Sequence, residues 1–134
     1  MVDIPTLRRL ALALPEAEDG SDEGKLAFSV HGKGFAWTWL VRTAPRKPRR
    51  PRLDVLAVRC PIEKKEMLIA AAPDRFFDED HYRGYPAVLV RLEAIGEAEL
   101  STLLGDAWRM TAPGALLKRF PRPPSPGSPT TPRG

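Results

Sequence analysis

The sequence holds little of what most active sites are built from. Among its 134 residues there are one cysteine and two histidines, and aromatic residues make up 7%. A lone Cys60 can neither close an internal disulfide nor supply a multi-thiolate zinc site. No apolar run approaches the roughly 18 residues that a membrane helix needs, and the first residues lack the basic-then-apolar order of a secretory signal. A cytoplasmic protein with no membrane partner is expected. No G-x-S-x-G elbow, P-loop or G-x-G-x-x-G occurs, and Gly32-Lys33-Gly34 lacks the following helix that phosphate-cradling loops need. Zinc-finger spacing, a heptad-linked basic helix and an RNP-like aromatic strand are missing too. The expectation is therefore a protein that is not an enzyme and carries no cofactor.

What the chain does have is segregated positive charge. The formal net charge is +4, but residues 42–52 hold six Lys and Arg and no acid, and residues 118–134 hold four more (Lys118, Arg119, Arg122, Arg133), again with no acid. The other 106 residues carry 11 basic against 17 acidic side chains, about −6. Positive charge concentrated on projecting segments of an acidic body is an electrostatic footprint for a polyanion. Pro45, Pro48 and Pro51 recur every third residue of the first segment and stiffen it. Prolines 121, 123, 124, 126, 129 and 132 dominate the second. With almost no large apolar residue, 121–134 cannot offset its ordering entropy and is expected to be a disordered tail beyond a single 1–120 domain. Its P-x-x-P pattern also suits an aromatic groove on a protein partner.

Apolar spacing outlines the domain. Leu7, Leu10, Ala11 and Leu14 repeat at helical intervals over 3–14, with Asp3 as cap and Pro15 as stop. A loop is expected over 16–24. Leu26, Phe28 and Val30, then Phe35, Trp37, Trp39 and Val41, alternate as strands joined by a turn at His31-Gly32-Lys33-Gly34. A third strand runs from Leu53 to Arg59, both faces apolar. Pro61 opens a helix to Ala72 whose charges Glu63, Lys64, Lys65 and Glu66 crowd its first turns. Residues 75–77 form a short extended piece, 87–92 a strand, and 97–111 a helix with Leu100, Leu103, Leu104, Ala107 and Thr111 in one stripe and Trp108 beside it. The predicted fold is α+β, a two-layer sandwich in the order α-β-β-β-α-β(β)-α, with an antiparallel sheet of four to five strands covered on one face by helices.

The succession of Leu14-Pro15-Glu16 after an amphipathic helix, Phe28-Ser29-Val30 with Gly32-Lys33-Gly34-Phe35-Ala36, and Tyr85-Pro86-Ala87-Val88-Leu89-Val90 before the last helix resembles the MmcQ/YjbR family over residues 3–120. That resemblance implies a small bacterial α+β fold, likened to CyaY or to secretion chaperones, and DNA binding through two wing-like hairpin loops. By position, Gly32-Lys33-Gly34 is a short wing and 42–52 a long one. Two departures stand out: many relatives have Gly-Trp where this chain has Gly84-Tyr85, and the long wing here is unusually rich in Pro and Arg.

The reading that follows is sequence-tolerant DNA binding, with Lys33, Arg42, Arg46, Lys47, Arg49, Arg50 and Arg52 on phosphates, because guanidinium forks match phosphate oxygens. Two alternatives stay open for the long loop: a solvated loop, or one folded back on the acidic body. A rival function is a protein-interaction or chaperone-like adaptor using an open sheet face or edge. A third is a small-molecule or enzymatic pocket near His31 and His81. Trp37 and Trp39 would stack bases if exposed, although their strand phase favours core, as it does for Trp108. Asp78-Glu79-Asp80-His81 offers at most two metal ligands on one face and reads as a solvated acidic turn. Cys60, before the Pro61 helix, reads as buried packing rather than a nucleophile.

Overall fold

A computed structural model describes residues 1–21, 25–41, 50–79 and 82–119. The expected tail, part of the long loop, Asp80 and His81 lie outside those residues. Helix α1 (Ile4–Leu12) begins where predicted: the Asp3 carboxylate accepts the Thr6 amide at 2.9 Å and Pro5 sits in the first turn. Leu7 and Ala11 are its buried positions.

Among the described residues six strands form one sheet, all pairing antiparallel, in the order β1-β2-β3-β4-β6-β5. They are β1 (Ala17–Asp19), β2 (Ala27–Val30), β3 (Lys33–Val41), β4 (Arg50–Arg59), β5 (Phe76–Phe77) and β6 (Ala87–Arg91). The unexpected one is β1, formed where a loop was predicted. Glu16, at φ 56, turns the chain so that three residues pair along the outside of β2. The β2–β3 connection is also tighter than the four-residue turn predicted. Val30 pairs with Lys33, leaving His31 and Gly32 as a two-residue loop, both at positive φ (49 and 81), as the mirror-image hairpin turn requires.

One β-bulge decides which face each β3 side chain takes. Phe28 pairs with Ala36 and Ser29 with Gly34, so Phe35 is an extra residue without a partner. Phe35 and Ala36 consequently both enter the main core with Phe28, Val30, Leu56, Val58, Val88 and Val90. Trp37 lands on the opposite face. It is half-buried there against a smaller cluster of Val55, Ala57 and Leu89, flanked by Phe77 and Tyr82. The expectation that Trp37 belongs to the same face as Phe35 is thus corrected, because strict alternation does not survive an inserted residue.

Helices α2 (Ile62–Ala71), α3 (Glu97–Thr111) and α4 (Gly114–Arg119) are the other helices among the described residues. Helix α3 buries Leu100, Leu103, Leu104, Ala107, Trp108 and Thr111, the predicted stripe, and packs on β2, β3 and β4. Trp108 is core, its Nε1 donating to the Pro15 carbonyl at 2.9 Å. The same helix collects ion pairs on its outer side: Glu97 with Arg9 of α1, Asp106 with Lys64 of α2, and Glu99 with Arg75, whose guanidinium forks onto both carboxylate oxygens at 2.6 and 3.2 Å. Helix α4 was not predicted; it buries Leu116.

Leu104→Ala is expected to cost about 2–5 kcal/mol in urea unfolding, since Leu104 is fully buried where α3 meets the sheet. Hydrogen bonds from Thr6, side chain and amide, hold the Asp3 carboxyl below its ordinary value. The folded state therefore gains from ionised Asp3 above the usual aspartate range and loses that gain as pH falls through the depressed value. Asp3→Ala should lower the urea midpoint at neutral pH, with the gap to the wild type closing in acid.

Candidate nucleic-acid interface

The predicted phosphate contacts fall into two groups that β3 holds apart. Lys33 is exposed and opens β3, immediately after the His31-Gly32 turn. Arg50 and Arg52 lie at the other end, in β4 rather than in a loop: Arg50 is opposite Val41, Pro51 opposite Leu40 and Arg52 opposite Trp39. A nine-residue strand separates the two ends by roughly 25 Å. Arg42, Arg46, Lys47 and Arg49 lie outside the described residues. Prediction began the third strand at Leu53, yet pairing with β3 extends it to Arg50 across a register shift after Thr38. Among the described pairings, β2 meets β3 only from Lys33 to Trp37, and β6 meets β4 only from Val55 to Arg59. Residues 39–41 and 50–52 therefore form a two-stranded ribbon continuing beyond the other described pairings, and the intervening residues 42–49 carry four of the six cations in sequence.

A second cationic feature, not foreseen from the sequence, lies on the face away from the main core. Across the sheet, Trp37, Ala57, Leu89 and Phe77 are successive cross-strand neighbours. Arg59, two residues after Ala57, shares their face. Its guanidinium carbon lies 5.5 Å from the Trp37 ring centre and 5.9 Å from that of Tyr85, and its Nε donates to the Gly34 carbonyl at 3.0 Å. Trp37 donates its indole N–H to the Tyr82 hydroxyl at 3.0 Å, and Tyr85 meets both Trp37 and Tyr82 in edge-on contacts. Arg91 covers Phe77 at 4.1 Å. Among the described residues neither Arg59 nor Arg91 pairs with a carboxylate. Tyr85 is 39% exposed.

Lys65 fixes the segment that carries Tyr82 and Tyr85. Sequence reading groups it with the charges that crowd the first turns of α2, and it is 3% exposed. Its ammonium reaches the Asp78 carboxylate at 2.9 Å and the carbonyls of Tyr82 and Tyr85 at 2.5 and 3.1 Å. Three acceptors match its three donors, which is what a buried ammonium needs. Asp78, read as a metal lure or an acidic turn, is thus a partner for Lys65. Among the described residues no three His, Cys, Asp or Glu gather as a metal site. His31 is an exposed turn residue bonded to Glu16 at 2.7 Å. Cys60 is buried in the main core, and burial pushes its thiol up against the opposing pull of Lys64 and Lys65, so it stays protonated.

The chain is similar to known proteins in sequence and in fold. A family model described as YjbR matches residues 12–110. The chain belongs to the YjbR family. An uncharacterised protein of Mycobacterium tuberculosis is 44% identical over 98 residues, covering 68% of this chain and 76% of that one; a Mycobacterium bovis protein matches to the same extent. Among solved structures, Deinococcus radiodurans protein DR2400, with a DUF419 domain, superposes with a TM-score of 0.63 at 21% identity over 98% of this chain and 96% of that one. A Pseudomonas syringae protein does so at 0.57 and 12%, over 82% and 99%. Both likenesses concern the fold. As a YjbR protein the chain keeps the expected α+β sandwich, with one strand more than the sheet predicted.

Lys65→Met should destabilise the protein by about 3 kcal/mol, because it leaves Asp78 and two carbonyls without their donor. Hydrogen exchange across residues 76–87 should accelerate more than in Lys64→Met. Cys60 should resist iodoacetamide in the native protein and react on unfolding, as a buried protonated thiol does.

Proposed function

We propose that this YjbR protein binds DNA without marked sequence preference, through phosphate contacts made by the β3–β4 hairpin. The observation that carries this reading is the ribbon that continues past the other described pairings toward a segment with six cations and no acid between residues 42 and 52. A two-stranded base ties that segment to the middle of the sheet, so less freedom is lost when its cations meet phosphates. Arg is the better residue for this task, since its planar fork presents paired donors to phosphate oxygens. Family membership supports the fold on which the reading stands. Nothing in the reading calls for base-edge contacts, hence the tolerance of sequence. Lys33, about a strand length away, belongs to a separate contact point rather than to the same patch.

Titration of duplex DNA at increasing salt is the test. Log K should fall against log salt by about 0.9 per phosphate contact, reaching a slope near −5 if all six cations engage. Replacing Arg42, Arg46, Lys47 and Arg49 by Ser, and Arg50 and Arg52 by Thr to preserve strand preference, should abolish most binding and flatten the slope. The variant's stability should stay within about 0.5 kcal/mol of wild type. Binding that is absent at low salt, or indifferent to these substitutions, rejects the proposal.

A further inference from the structure

We infer that the open sheet face, centred on Tyr85 and Arg59, is a stacking site for an unpaired base of a single-stranded nucleic acid. The inference stands apart from the hairpin reading, because it rests on different residues at a different place on the sheet.

Three observations meet there. First, the aromatic residues are displayed and also held. Tyr85 is 39% exposed although it is a large apolar side chain, while its backbone carbonyl and that of Tyr82 are clamped by the buried Lys65 ammonium. Trp37 is tied to Tyr82 through its indole N–H. A preset ring loses little freedom on binding. Second, the charges lying on these rings are positive. Arg59 and Arg91 lie on aromatic rings without a carboxylate partner among the described residues, and Asp78 is neutralised by Lys65. Glu18, the acid that shares this face by register, is on edge strand β1, with β2 and β3 between it and Arg59. Third, among the described residues none of the four α-helices packs over the patch. Helix α3 packs on β2, β3 and β4 from the side of the main core, and Trp37 belongs to the other side.

An exposed tyrosine ring beside a guanidinium with no carboxylate partner among the described residues asks for a ligand that is both planar and anionic. An unpaired nucleotide has these properties: its base stacks on rings and on guanidinium planes, and its phosphate answers the cation. A duplex keeps its base faces covered and cannot use the site. A protein segment carrying acidic groups would meet the arginines but gain less from the ring array.

The test uses the full chain and fluorescein-labelled oligo(dT) of about 15 nucleotides, a length within the usual site size for such sheets. A second probe has the same phosphates with abasic sugars, and a third is a duplex of matched length. Tyr85→Ala should weaken oligo(dT) binding roughly 5- to 100-fold, the range for loss of one stacked base. Affinity for the abasic strand and the duplex should stay within twofold. Tyr85→Trp should restore tight oligo(dT) binding, and Arg59→Gln should weaken it. Tyr85→Leu keeps bulk and serves if the alanine variant unfolds. An equal loss on all three probes, no loss on oligo(dT), or no oligo(dT) binding by the wild type overturns the inference. Duplex binding that depends on the hairpin cations while Tyr85 is indifferent would sink this site and leave the hairpin proposal intact. The converse pattern would do the reverse.

Discussion

The single inserted residue at Phe35 governs both faces of the sheet. In a pleated strand each residue dictates the side its successor takes, so one extra residue shifts everything beyond it to the other side. Here the insertion sends Phe35 and Ala36 consecutively into the space beneath α3, where both are fully buried. It also places Gly34 and Trp37 together on the open side, where a side chain at position 34 would lie 3.7 Å from the indole. Arg59 then bridges the two, with its Nε on the Gly34 carbonyl and its guanidinium over the Trp37 ring. Core packing and the aromatic display are thus two outcomes of one backbone irregularity.

A separate polar requirement beside this face is met by α2. The carbonyls of Tyr82 and Tyr85 both accept from the buried Lys65 ammonium. Lys65 supplies the donors, and Asp78 balances its charge. A buried pair of this kind adds little net stability over an apolar substitute. What it adds is geometry, since an apolar residue at position 65 could pack but could not hold two carbonyls and a carboxylate in one place. The orientation of the two tyrosines is therefore linked to a lysine on α2 that binds their backbone carbonyls.

Much of this architecture is legible in the sequence, but unevenly, and the unevenness has physical causes. Helix α3 is readable residue by residue because its stripe repeats over fifteen positions and every member of it is buried. Strand β1 is not, since Ala17-Glu18-Asp19 is short and polar and pairs only along one edge. Residues 50–52 read as loop because Arg-Pro-Arg has no apolar alternation; backbone pairing with β3, which needs no side-chain pattern, makes them strand. The bulge at Phe35 is invisible because periodicity counts residues in one strand and a bulge is a mismatch between two. The burial of Lys65 is unreadable for a related reason: helical spacing cannot know that an acceptor trio from residues 78–85 will arrive above it. Arg59, Tyr82 and Tyr85 were missed as a group, although Arg59 in the phase of Val55 and Ala57 was a usable signal of a cation on an otherwise apolar face.

The hairpin and the open face differ in what they demand of a ligand, and the difference is one of thermodynamics rather than of degree. Contacts between exposed cations and phosphates draw their free energy largely from released counterions, so they weaken as salt rises and do not distinguish paired from unpaired strands. Stacking on a held ring draws on dispersion and desolvation, which salt screens little, and it requires a base face that pairing hides. Arg59 stands between these regimes, because a guanidinium lying on an indole is partly withdrawn from water and its attraction for a phosphate is correspondingly less screened. A strand that is unpaired over a few nucleotides and paired beyond them would satisfy both surfaces at once, whereas a continuous duplex would engage only the cationic end. On this account the roughly 25 Å between the two ends of β3 is a spacing that a flexible single strand can bridge.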